Sequence, residues 1–269
     1  MKPVSKTAYY CCGVRMQDAE SPTPLIGDTY AKRLLGEEGF EYWQGFKDFT
    51  APNGSNIARH FLIDNHLKTL LSKQPSSTII LIGAGLDSRA YRFNSGNWIE
   101  IDEPAIINYK NKLLPVKGCP NSLTRIAIDF EKEKLAEKID QYKDTRHVVI
   151  VIEGVLMYLS KQQKQELLKT LTSFFPVHTL LCDLMTKKFF DLLGHKIHKK
   201  LVAQGSSFAD ISKEPWLLFQ QYGYKQTAKT STVKTANDRG LIKFPKLMVN
   251  ILFKKLFEGY SVYKFVYGG

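Results

Sequence analysis

Residues Ser77 to Asp102 read STIILIGAGLDSRAYRFNSGNWIEID, and this stretch decides the fold. Thr78 to Ile82 is an apolar, β-branched run without alternation, as expected of a parallel strand covered on both faces. Such a strand belongs at a sheet centre. Gly83-Ala84-Gly85 then reads as a turn in which the absent Cβ atoms allow a sharp bend and the close approach of a ligand. A second strand, Trp98 to Ile101, delivers the Asp102 carboxylate to the same sheet edge, where it can accept hydrogen bonds from two ribose hydroxyls. The spacing from Gly83 to Asp102 is near the ~20 residues of a nucleoside-binding unit. The alternative is an ordinary strand-to-helix turn with an unrelated acid.

A dinucleotide fingerprint, G-x-G-x-x-G, uses its third glycine for close helix packing, and here that position is Ser88. NAD is therefore disfavoured. S-adenosylmethionine carries an adenosine without a pyrophosphate, and its zwitterionic methionyl tail needs backbone groups beside a glycine turn. The pattern suits it better.

A chain of 269 residues can bury roughly three quarters of its unfolded surface, enough for one large domain. No apolar run reaches the ~18 residues of a membrane span, and the start, MKPVSKTAYYCCGVR, lacks an h-region and a cleavage site. The four cysteines (Cys11, Cys12, Cys119, Cys182) form no C-x-x-C pair and have no histidine at metal spacing, so free thiols, a reducing cytoplasmic setting and no metal are expected. A net charge of +12 admits nucleic acid, an anionic membrane or an acidic partner. The lysines, however, are dispersed, and no nucleic-acid-binding signature accompanies them. A generally basic surface is the simpler account.

Taken in order, residues 7 to 36 read as a helix, a Pro-containing loop (Ser21 to Pro24), and a second helix capped by Asp28 and stopped by Gly36. A connector from Glu37 to Asn53 leads to a helix from about Ser55 to Leu71, with Arg59 in its first turns. Arg59 is either a solvated face residue or a partner for a ligand carboxylate. Pro104 opens the helix after Asp102. Ser122 to Phe130 is a third strand; its terminal Asp129-Phe130 either holds an adenine or caps a helix from Glu131 to Gln141. Val148 to Ile152 is the most hydrophobic strand and ends in Glu153-Gly154, where a buried acid needs a partner. Lys161 to Phe175 reads as a helix, Thr179 to Leu184 as a fifth strand, Glu214 to Tyr222 as a helix, and Tyr224 to Thr232 and Val262 to Val266 as the last strands.

Two insertions interrupt this tail, residues 186–213 and 233–260. The second holds Phe244 to Glu258 as a basic amphipathic helix, a lid or core element in its simpler reading and a peripheral membrane contact in the other. No linker divides the chain, so we expect one domain over 1–269, with a helical cap (1–72), a cofactor-binding core (77–185) and the insertions as a substrate lid. Alternating strands and helices describe a doubly wound, mostly parallel α/β sheet. The glycine turn, Asp102, Asp129-Phe130 and Glu153 each fall at the carboxyl end of a successive strand, the edge at which such sheets bind ligands.

At these residues the chain resembles a known family. ILIGAGLDSRAYRF, WIEIDEP, AIDF and IEGVLMYLS, with PTPLIGDTYAKRLL and NIARHFLIDNHL, look like the motifs of the leucine carboxyl methyltransferase family and its bacterial relatives, S-adenosylmethionine-dependent O-methyltransferases that include polyketide-tailoring enzymes. The resemblance covers most of residues 7 to 185 and fades in the insertions. It implies a class I methyltransferase (Rossmann-like) fold with a final antiparallel strand, and S-adenosyl-L-methionine as cofactor. It further implies that Gly83, Ala84 and Gly85 meet the methionyl part, Asp102 the ribose, and Asp129 and Phe130 the adenine. Glu153 would lie beside the methionyl amino group and Arg59 would meet its carboxylate. Where the eukaryotic enzymes carry a Lys-Arg pair in the first helix, this chain has Tyr10-Cys11, which favours a small carboxylic acid or hydroxyl compound over a protein C-terminus as acceptor. Arg15, Tyr91 and Tyr158 are candidate acceptor-side residues, and no catalytic base is assigned. The rival from another class is a non-catalytic module that keeps the pocket and docks through its basic surface.

Overall fold

The computed structural model describes residues 3–245 and 247–268. Three helices come first: α1 (Pro3–Ala19), α2 (Ala31–Gln44) and α3 (Thr50–Lys73). The alternating core follows as β1 (Thr78–Ile82), α4 (Arg89–Arg92), β2 (Asn97–Asp102), α5 (Pro104–Leu113), β3 (Ser122–Ala127), α6 (Leu135–Ile139), β4 (Val148–Ile152), α7 (Lys161–Phe174) and β5 (His178–Met185). The tail holds α8 (Lys187–Phe189), α9 (His195–Ala203), α10 (Trp216–Gln221), β6 (Lys225–Ser231), α11 (Thr232–Asp238), α12 (Lys254–Phe257) and β7 (Tyr260–Tyr267).

One seven-stranded sheet runs in the order β3-β2-β1-β4-β5-β7-β6. All neighbours are parallel except β7, which is antiparallel to β5 and to β6. The order reverses between β1 and β4, which places the switch point, and with it the expected ligand crevice, beyond Ile82 and Ile152.

All five residues of β1 are buried, and they face two layers in alternation. Ile79 and Leu81 pack with Leu34, Ile63 and Leu67 of α2 and α3, while Ile80 and Ile82 join Leu168 and Leu171 of α7 on the other face. A third, smaller cluster joins α3 to both insertions through Ala58, Phe189, Val233 and Phe257. Gly54 lets the second insertion approach α3, because a Cβ there would lie 2.7 Å from Ile242 Cγ2. The Ser55 and Thr232 hydroxyls, 2.7 Å apart, tie the same contact.

Several boundaries differ from expectation. Gly36 does not stop the second helix; it kinks it at φ 60°, and the helix runs on to Gln44. The connector expected from Glu37 to Asn53 is therefore largely helical, since α3 begins at Thr50. β3 ends at Ala127, leaving Asp129 and Phe130 beyond the strand tip. The helix expected from Glu131 shrinks to Leu135–Ile139. The helix expected from Phe244 to Glu258 is instead a π-helical turn (Met248–Leu252) followed by α12; Lys246 within it lies outside the described residues, as do the first two residues and Gly269 of the expected domain.

Candidate active site

The glycine turn sits where the sheet order reverses. Gly83 and Gly85 have φ of 70° and 49°, in the left-handed region that favours glycine. Gly83 has a second reason to lack a side chain, because a Cβ would fall 2.4 Å from Val155 Cγ2 after β4. The turn holds Asp102 in place: Gly85 N–H donates to Asp102 Oδ2 (2.5 Å) and Glu103 N–H to Oδ1 (2.7 Å). Asp102 has no ion pair among the described residues, and burial pushes its carboxyl up to about 6 despite the two backbone donors. Both oxygens keep lone pairs for further donors.

Glu153 is the hub of a buried ionic cluster. Arg59 Nε donates to Glu153 Oε1 (3.0 Å), and Arg89 Nη2 lies 2.7 Å from Oε2. Arg89 itself is fully buried, its Nε 2.5 Å from Asp64 and its Nη1 2.5 Å from Asp87. Arg59 also approaches Asp183 (3.6 Å) and donates to the Tyr260 hydroxyl (2.9 Å). Burial alone would raise the Glu153 carboxyl, but the charges of Arg89 and Arg59 hold it well below the usual carboxylate range. His60 is kept neutral, mainly by burial and further by Arg89. His60, Asp87 and Glu153 converge closely enough to resemble a metal cage, but the Arg89 guanidinium already sits among them as the cation.

The cluster continues to the N-terminal helices. Arg92 pairs with Asp64 (3.0 Å), and Asp28 accepts from Arg15 Nε (2.9 Å) and from Ser88 Oγ (2.6 Å). Across the whole cluster five carboxylates (Asp28, Asp64, Asp87, Glu153, Asp183) face four guanidinium groups (Arg15, Arg59, Arg89, Arg92). At Asp183 burial outweighs Arg59 and pushes the carboxyl up.

Next to this cluster lies a cavity of about 180 Å³. Its walls come from Tyr10 and Cys11 of α1, Arg59 of α3, Gly154 and Tyr158 after β4, and Phe189 and Phe257 of the two insertions. Arg59 is the sole charged side chain among the described lining residues, and no Asp, Glu, His or Lys accompanies it. Gly154 is required here: at φ 69°, a Cβ would meet the Arg59 guanidinium at 3.1–3.3 Å. A wider hollow of about 370 Å³ lies at the other end of the sheet, beside Pro176 and Gly223, away from these groups.

Of the expected site residues, the structure brings Gly83, Ala84, Gly85, Asp102, Glu153 and Arg59 to the switch-point rim. Asp129 and Phe130 follow the tip of β3, with the Phe130 ring 38% exposed and Asp129 accepting from Glu131 N–H. Tyr158 lines the cavity, packed edge-on against Phe208. Arg15 and Tyr91 correct the expectation of acceptor contact. Arg15 is buried, its Nη2 donating to the Leu86 carbonyl (2.6 Å), so it fastens α1 to the segment after the glycine turn. The Tyr91 hydroxyl donates to the carbonyls of Leu114 and Pro115. Neither lines the cavity. Sequence reasoning missed Arg89, Asp64, Asp183 and Tyr260; only the run of charges in DSRAYR hinted at the first.

The sequence model of the family described as Leucine carboxyl methyltransferase matches residues 10–172. The chain belongs to the leucine carboxyl methyltransferase family. Among relatives of this methyltransferase, the tetracenomycin polyketide synthesis O-methyltransferase TcmP of Streptomyces glaucescens is 24% identical over 210 residues, 76% of this chain and 74% of that protein. A Mycolicibacterium paratuberculosis protein, provisionally named an S-adenosyl-L-methionine-dependent methyltransferase, is 28% identical over 183 residues, spanning 61% of this chain and 60% of its own length. In structure, magnesium protoporphyrin IX methyltransferase (ChlM) of Synechocystis PCC 6803, solved with bound SAH, superposes with a TM-score of 0.53 at 12% identity, covering 89% of this chain and 99% of that one. The fold is that of class I methyltransferases.

The cofactor of this methyltransferase is S-adenosyl-L-methionine. The residues present suit it. Asp102 is a desolvated carboxylate with no ion pair among the described residues, a state that two hydroxyl donors relieve. The Glu153 carboxylate, held ionised at the tip of β4, suits an added ammonium group.

Proposed function

We propose that this methyltransferase transfers the methyl group to an oxygen of a small, largely apolar metabolite of polyketide-like character, forming a methyl ester on a carboxylate or an ether on a hydroxyl. The observation that carries this reading is the cavity: apolar walls, one guanidinium at the base, and no proton-accepting acid, histidine or lysine among its described lining residues. A carboxylate is ionised at pH 7 and needs no general base, which favours the ester. The polyketide O-methyltransferase activity in the name of TcmP supports the same class of acceptor.

When bound, the cofactor supplies a methyl group on a sulfonium, a donor that needs no further activation. The work left to the chain is positioning and exclusion of water. In this reading Asp102 holds the ribose hydroxyls, Gly83, Ala84 and Gly85 admit the methionyl tail, and Phe130 and Asp129 receive the adenine. Glu153 faces the methionyl amino group and Arg59 its carboxylate. The aromatic walls keep water from the acceptor oxygen. Burial pushes the Tyr158 phenol well up, so it stays protonated and can donate a hydrogen bond that orients the acceptor.

Incubation of the purified protein with labelled S-adenosyl-L-methionine and a host-cell extract tests this directly. Label in a base-labile small molecule supports the ester, and label in a base-stable one the ether. Label confined to a protein band would move the acceptor to a protein C-terminal carboxylate. No transfer by protein that binds the cofactor would leave only a binding module.

A further inference from the structure

We propose that the two late insertions form a lysine-rimmed apolar face that docks on an anionic lipid surface, with the wall of the cavity turned toward the bilayer. Seven of the eleven exposed large hydrophobic side chains among the described residues lie in these two short segments. Leu192 is 60% exposed, Leu247 58%, Ile251 67% and Leu252 63%, with Leu193 at 42% and Phe253 at 43%. A concentration of this kind is unusual on a surface that faces only water.

The two segments pack on one another. Phe189 of the first packs in a single cluster with Val249 and Phe257 of the second, and Phe253 lies 6.4 Å, ring to ring, from Phe257. Leu193 both lines the cavity and is exposed, so the apolar wall continues outward to the surface there. The same two segments carry Lys188, Lys196, Lys199, Lys243 and Lys255, all exposed and without an ion pair among the described residues. Residues 187–204 hold five lysines and one acid, and residues 243–258 four lysines and one acid.

Charge selects the occupant. A second copy stacked on this face would bring two lysine rims together in a region being desolvated. An anionic headgroup layer is complementary to the rim. Side chains more than half exposed offer no groove for a rigid partner, whereas acyl chains close around them. Docking would let an amphiphilic acceptor pass from the lipid into the cavity; that consequence, unlike the docking itself, rests on the cavity being the acceptor site.

The full chain is sedimented with phosphatidylcholine vesicles and with mixed phosphatidylcholine and phosphatidylglycerol vesicles. The expected result is binding at least about tenfold tighter to the anionic vesicles, weakening with salt. The exposed double variant Ile251→Ser/Leu252→Ser is expected to lose about tenfold or more, with S-adenosyl-L-methionine binding unchanged. Lys196→Glu/Lys199→Glu is expected to remove the preference for anionic lipid. Failure to sediment with either vesicle overturns the proposal, as does equal binding by the serine variant. A concentration-dependent dimer that the serine variant dissolves would assign the face to a second copy instead. The vesicle readout needs no methyl acceptor, so its failure leaves the transfer reaction standing.

Discussion

Arg59 and Glu153, 94 positions apart in the chain, meet at 3.0 Å with both side chains nearly inaccessible to water. The pair joins the N-terminal helices to the tip of β4, and through Arg89 it reaches the helix after the glycine turn. The residues expected to grip the two ends of the methionyl group are thus already locked to one another.

Removing one charge from that pair leaves the others unbalanced in a desolvated site. Glu153→Gln preserves the shape and deletes the acid facing Arg59 and Arg89, so unfolding stability should fall by about 3–5 kcal/mol in a urea titration. Cofactor affinity should fall with it. A variant as stable as the parent would show that the cluster contributes little to the fold.

Asp102 makes a pH prediction. If its ionised form accepts the ribose hydroxyls, S-adenosyl-L-methionine binding tightens as pH rises through about 6 and levels off above it. Calorimetry one pH unit below that value should give roughly tenfold weaker binding than at neutral pH. Asp102→Asn should weaken binding and abolish this step. The sign for stability of the ligand-free protein is opposite. Between 3.8 and about 6 the folded state keeps a proton on Asp102 that the unfolded chain has lost, so this group's contribution falls as pH rises through that window. Asp28 and Asp87 act the other way: their carboxyls are held low in the fold by Arg15 and Arg89, and their stabilisation is lost as pH falls below the ordinary carboxylate range.

Two glycines with similar backbones separate strain from crowding. Gly83→Ala combines a left-handed φ of 70° with a Cβ 2.4 Å from Val155, and should cost about 2–4 kcal/mol together with cofactor binding. Gly240→Ala, at φ 73° with nothing within 4 Å, should cost about 1 kcal/mol and leave binding intact. Thermal melts with and without cofactor distinguish them; equal effects would mean that Val155 yields easily.

Filling the cavity should separate the two substrates. Ala51 lines it and is half-buried, so Ala51→Phe can add a ring without opening the core. The expected outcome is a KM for the acceptor raised about tenfold or more with the Kd for S-adenosyl-L-methionine unchanged. An unchanged acceptor KM would place the acceptor elsewhere.

The central strands were legible because burial on both faces leaves an unbroken apolar run: β1 and β4 occupy the residues expected from sequence, Thr78–Ile82 and Val148–Ile152. Glu153 was legible because it breaks the β4 run, and Asp102 because it ends the second strand about 20 residues after the glycine turn. The ends of α2 and α3 were not, because the signal at Gly36 is local, whereas packing of Trp43 and Phe46 on α1 carries the chain onward as helix. Arg15 and Tyr91 were misread for a related reason. A polar side chain looks available in a sequence until the carbonyl that claims it, Leu86 for one and Leu114 for the other, is brought alongside by the fold. Arg89 was hidden because its partners lie on three separate segments, Asp64, Asp87 and Glu153.

The cavity draws much of its wall from residues 185–260, beyond the stretch shared with the family, while the glycine turn, Asp102 and Glu153 all fall inside it. With the cavity as the proposed acceptor site, donor handling and acceptor choice would be written in different portions of the polypeptide. Transplanting only the two late segments onto another member should transfer its taste in acceptors while leaving the sulfonium grip as it was, making this architecture a natural chassis for swapping specificities.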